Sequence, residues 1–141
     1  MNVSDLKTVK LLAEFGDDDR EALADLLEER TLQAGRRVFS EGEEAESLIL
    51  LVEGQVRLES RDGRVEGALA EGEALGGLAL VRLGQRMATA ICEQTSRLLI
   101  LERSGYRRLA DDHPRTASRL IEAVLLALAA DVSEAIEDEA L

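Results

Sequence analysis

The 141-residue chain has the length of one ordinary domain, and 45% hydrophobic with 33% charged residues is the composition of a globular protein. Its formal net charge of −12 opposes the phosphate backbone of nucleic acids and the anionic lipids of a membrane surface, so neither is expected as a partner. One cysteine, Cys92, excludes an intrachain disulfide, and one histidine, His113, is too few for a multi-histidine metal centre. A Ser-His or Cys-His couple would have to use that same histidine, which sits beside Pro114 as a cap or surface residue. No catalytic residue, metal ligand set or cofactor is therefore expected. No apolar run reaches about 18 residues, and Met1 to Asp5 hold no basic-then-apolar leader, which predicts a cytoplasmic location.

A single domain over residues 1–141 divides into three zones. The first, 4–30, reads as helical. Ser4 and Asp5 offer caps, Leu6, Val9 and Leu12 recur at helical spacing, and Gly16 interrupts. Asp17 to Asp19 then cap a second helix carrying Leu23, Leu26 and Leu27 on one face. The second zone, 31–102, is punctuated by glycines between short apolar segments at 37–39, 48–52, 56–58, 65–69, 87–92 and 98–101. That rhythm predicts a β-sandwich or barrel, with reversals at Glu53-Gly54 and Asp62-Gly63. Cys92 falls inside an apolar strand as a small core residue. The third zone, 104–138, is helical again: a short run to Asp111, then a long helix opened by Pro114 and free of later Gly or Pro.

Several segments in this order resemble the cyclic-nucleotide-binding domain family, which includes the catabolite activator protein and the regulatory subunits of cyclic-AMP-dependent kinase. Val38-Phe39-Ser40-Glu41-Gly42-Glu43 resembles the family's entry into its β-roll, and Leu50 to Val56 resembles its "apolar, apolar, x, x, Gly, x, Val" hairpin. Leu75-Gly76-Gly77-Leu78-Ala79-Leu80, followed by Arg86-Met87-Ala88-Thr89, resembles its phosphate-binding cassette. Leu98 to Leu101, Tyr106, Leu109 and Pro114 resemble the exit strand and hinge helix. The resemblance implies a mainly β fold: a double-stranded β-helix, or jelly-roll-like β-roll, with N-terminal helices and a long C-terminal helix.

The resemblance also implies a site for a small anion. Gly76, Gly77, Leu78 and Ala79 fall at the cassette's short helix, whose free amides favour an anion. Arg86 falls at the family's phosphate arginine, and Ala88 and Thr89 follow with an amide and a hydroxyl. Gly77 departs from the pattern, because the family places there a glutamate that accepts a bond from the ribose 2′-hydroxyl. Two functions stay open: a non-enzymatic sensor of a cyclic nucleotide or similar anion, and a pseudo-sensor kept as a dimerisation or protein-docking domain for an unknown protein partner. A surface role for Arg86 stays open too.

On the long helix, Ile121, Leu125, Leu128, Val132 and Ala135 are spaced 4, 3, 4 and 3, an a/d seam. Ala117, Leu120, Val124 and Ala127 form a neighbouring stripe. So wide an apolar arc predicts that one stripe covers the β-roll and the other meets a second copy in a homodimer. The alternative is one wide core face in a monomer.

Overall fold

The computed structural model describes residues 2–140, with side chains for residues 2–130. Among the described residues eight strands form two antiparallel sheets. They are β1 (Glu28–Leu32), β2 (Arg37–Phe39), β3 (Ser47–Glu53), β4 (Val56–Glu59), β5 (Glu66–Leu69), β6 (Ala74–Leu75), β7 (Thr89–Cys92) and β8 (Ser96–Glu102). One sheet runs β1-β8-β3-β6 and the other β2-β7-β4-β5: two sheets, as the glycine rhythm predicts, in the jelly-roll-like arrangement that the family resemblance implies.

The central strands β3 and β8 explain why their sequences read as unbroken apolar runs and not as alternation. Leu48, Leu50, Leu99 and Leu101 point out of the roll into a core shared with the helices. Ile49, Leu51, Leu98 and Ile100 point inward, into a second core with Val56, Leu69, Ala90 and Cys92. A strand buried on both faces needs apolar residues at every position. At the β3–β4 reversal Gly54 has φ +108, and a Cβ there would lie 2.2 Å from the Ser96 Oγ, so glycine is required on both counts.

Helices cover the outer face of the first sheet: α1 (Asp17–Ala24), α2 (Arg103–Asp112) and α3 (Pro114–Ala140). Before them, Val3–Thr8 and Lys10–Leu12 are 3₁₀ segments instead of one α-helix. The physical reason lies in the spacing. Leu6, Val9 and Leu12 recur every three residues, the period of a 3₁₀ turn, and all three are buried. The extended backbone at Val9 separates the segments, and the Lys10 amide donates to the Gly72 carbonyl at 2.8 Å.

The sequence zones shift at one boundary. Residues 28–30, assigned to the helical start, open β1, and Leu26 and Leu27 lie in the turn after α1. Four of the five β1 residues are exposed, so Glu-Glu-Arg-Thr-Leu shows no alternation. It becomes a strand by pairing with β8, from Glu28 opposite Ile100 to Leu32 opposite Ser96. Arg97 on β8 braces that edge, reaching Asp5 at 2.7 Å, Glu53 at 2.9 Å and Glu29 at 3.1 Å. The two-residue β6 also escaped sequence reading, being too short to carry a period.

Candidate functional site

The site begins where β6 hands over to a turn. Gly76 adopts φ 82, ψ 27, a left-handed conformation open to glycine at little cost. A four-residue 3₁₀ segment, Gly77–Leu80, follows, and its first internal bond runs from the Ala79 amide to the Gly76 carbonyl at 3.0 Å. So short a segment has little macrodipole, and its contribution to an anion is local, through the amides that precede that bond. Arg103, at the start of α2, holds the segment from behind. Its guanidinium donates to the carbonyls of Ala79 (2.8 Å), Ala45 (2.9 Å) and Arg82 (3.1 Å).

Arg86 enters from the loop before β7. Its amide donates to the Glu43 carbonyl at 2.7 Å, and its own carbonyl accepts from the Gly42 amide at 2.9 Å. The residue is 9% exposed. Its Nη2 donates to the Ser47 carbonyl (2.9 Å) and hydroxyl (3.1 Å), while Cζ lies 4.4 Å above the Phe39 ring centroid. No carboxylate among the described residues pairs with it. Burial pushes its pKa down, opposed by the fields of Glu43 and Glu102, and an arginine so placed stays charged. The result is a largely desolvated cation held by neutral groups, with Nη1 and Nε unpartnered among the described residues. Cation–π contact supplies about 0.5–2 kcal/mol of its support. A Cβ at Gly76 would come 2.4 Å from Nη1, so the glycine also makes room for the guanidinium.

A cavity of about 560 Å³ opens beside this arginine, against β2 and β4. Of the residues singled out by sequence, Gly76, Leu78, Ala79, Arg86 and Ala88 line it. Gly77 and Thr89 are not among its lining residues. The Thr89 hydroxyl accepts from the Glu41 amide at 3.0 Å. Gly77 faces α3 instead: a Cβ at that position would lie 2.6 and 2.8 Å from the two methyls of Val124. Sequence reading missed Phe39, Leu58 and Val65, which with Leu75 make the apolar wall, and Arg82 and Gln85, which stand with Met87 at the mouth. For Phe39 and Leu58 the only signal was apolar character on strands. It also missed Ser47, Arg103 and Val124, which act through contacts distant in sequence.

On α3, Ala117, Leu120 and Val124 are buried toward the roll, while Ala127, placed with them by spacing, is exposed. Of the seam residues, Ile121 packs on the core that the sheet shares with the helices, Leu128 is half-buried and Leu125 is 57% exposed. The side chains of Val132 and Ala135 lie outside the described residues. A larger hollow of about 820 Å³ between the N-terminal segments and α3 includes Leu126 and Arg119. Its Arg119 is half-exposed and already paired with Asp19, so it offers no comparable unpaired buried charge.

Asp19 joins the helices behind the site. It accepts from the Thr116 hydroxyl at 2.6 Å, from the Gly16 amide at 3.0 Å and from Arg119. Burial pushes its pKa up, but these bonds together outweigh burial and hold it below the usual aspartate value.

The sequence profile of the cyclic nucleotide-binding domain family matches residues 29–113. Over 104 residues the chain is 34% identical to a cAMP-dependent protein kinase regulatory subunit of Eremothecium gossypii, an alignment covering 74% of this chain and 23% of that subunit. The chain thus spans less than a quarter of that relative's length. Among solved structures, the N-terminal domain of a transcriptional regulator from Streptomyces coelicolor A3(2) superposes with a TM-score of 0.78 at 29% identity, covering 94% of each chain. The catabolite activator protein of Thermus thermophilus superposes with a TM-score of 0.76 over 92% of this chain and 62% of that one, at 22% identity, a likeness of fold.

Proposed function

The chain belongs to the cyclic nucleotide-binding domain family, and we propose that it is a non-enzymatic regulatory module that binds a small anion, a cyclic nucleotide or a close relative, in the cavity beside Arg86. One observation carries this reading: a buried guanidinium without a carboxylate partner among the described residues lines a cavity large enough for a nucleotide-sized ligand. A cation left in that state is costly, and an anion offsets the cost with charge-assisted hydrogen bonds. The apolar wall of Phe39, Leu58, Val65 and Leu75 suits the flat body of a base. Bound ligand favours one placement of the 3₁₀ segment, and because Val124 rests on Gly77 that preference reaches α3 as a shift in population. A cytoplasmic setting and a homodimer through α3 belong to the same proposal.

A second reading, a docking or dimerisation module with an idle pocket, draws on a different observation. Position 77 is filled from α3 by Val124, and the outer side of α3 presents Leu125 and Leu126, 57% and 65% exposed. A thermal-shift series with cyclic AMP, cyclic GMP and cyclic dinucleotides separates the two. Sensing predicts a rise in Tm that scales with ligand concentration over its Kd and vanishes in Arg86→Ala. An unchanged Tm at millimolar ligand favours the docking module.

A further inference from the structure

Resting on the anion-site reading above, we infer that the pocket does not read the 2′-hydroxyl of a cyclic nucleotide, so that it takes ribo- and 2′-deoxyribonucleotides alike. The inference comes from an inventory of donors and acceptors. Recognition of a hydroxyl as a donor needs an acceptor within reach, and a charged acceptor makes the bond about tenfold to a hundredfold in affinity. The described residues lining this cavity include no Asp or Glu.

Several backbone carbonyls around the mouth already accept a bond, and none of them carries the charge of a carboxylate. That of Gly76 accepts from Ala79, and that of Leu78 from both Val81 and Arg82. Those of Ala45 and Ala79 accept from Arg103, and that of Gly84 from the Ala45 amide. Both oxygens of Ser47 accept from Arg86. The Thr89 hydroxyl is bonded to the Glu41 amide and is not in the cavity wall. Gln85 carries a carboxamide oxygen, but the residue is exposed, where water competes for the same bond.

Position 77 supplies no side chain, and the Val124 methyls occupy the space into which one would grow. What remains is rich in donors, chiefly the free nitrogens of Arg86 with Arg82 at the rim, and in apolar surface. Such a wall selects an acceptor-only anion joined to a flat apolar body, and it is indifferent to a sugar hydroxyl.

Isothermal titration of the intact chain with cyclic AMP and with 2′-deoxy cyclic AMP tests this. The expected result is two dissociation constants within about threefold of each other, less than a single hydroxyl bond to a charged group would give, and both lost in Arg86→Ala. Cyclic AMP binding tenfold or more tightly than its deoxy analogue overturns the inference while leaving the anion site standing. Failure of both to bind at millimolar concentration overturns the anion-site reading for cyclic nucleotides, and this inference with it.

Discussion

At position 77 the absence of a side chain is a packing requirement. A Cβ there would come within 2.6–2.8 Å of the Val124 methyls, closer than such atoms pack, so α3 must give way to any larger residue. A carboxylate restored at this position therefore does not simply rebuild a ribose contact. Gly77→Glu is expected to destabilise the fold by about 1–3 kcal/mol through overpacking. Adding Val124→Ala removes the two methyls and leaves that alanine's Cβ 3.3 Å from the one at 77, a contact small adjustments relieve. Urea unfolding should show the double variant more stable than the sum of the two single changes predicts, the sign of a direct clash. Strict additivity would mean that residues 77 and 124 do not touch. Arg86 is the complementary case, a large charged side chain accommodated because Gly76 offers none.

Between elements, a buried polar tie among the helices is Asp19, which joins α1 to α3 through Thr116 and Arg119. Its folded pKa lies below 3.8, the ordinary value that the unfolded chain restores. The folded form thus prefers the carboxylate. Its contribution is complete above 3.8 and is lost as pH falls from there through the folded pKa. Asp5 and Glu29, held down first by the hydrogen bond from Arg97, add stability with the same sign. Thermal melts between about pH 2 and pH 6 should show Tm falling toward the acid end. In Asp19→Asn that fall should be shallower, and stability at neutral pH should drop by about 1–3 kcal/mol as a buried bond to a charged group is lost. A variant with the slope of the unchanged chain would show that folding does not shift the Asp19 pKa. Both networks brace the outer face of the β1-β8-β3-β6 sheet, the rear support of the segment beside the Arg86 cavity.

At the scale of the whole molecule, α3 is divided by side. Leu120 and Val124 face the roll, while Leu125 and Leu126 face outward. If a second copy covers the outer side, Leu125→Glu places a charge in an apolar seam. Sedimentation should then show dimer for the unchanged chain and monomer for the variant. A monomeric unchanged chain, or an unaffected variant, removes the seam.

Much of this architecture was legible in the chain. The runs at 48–52 and 98–101 mark strands buried on both faces, Pro114 opens α3, and the segments around Gly76 and Arg86 stand in an order that resembles one family. These signals are local, because period, turn chemistry and helix start depend on residues within a few positions of one another. Tertiary structure alone decided the rest. It made a strand of the polar 28–32 by pairing it with β8, and it drew Asp19 to Thr116 across 97 residues. It also set Val124 against Gly77 and placed Thr89 outside the cavity wall that Phe39 and Leu58 complete. Each of these outcomes depends on which distant atoms share a volume. Packing at crystal-like density settles that question, and no window of sequence contains it.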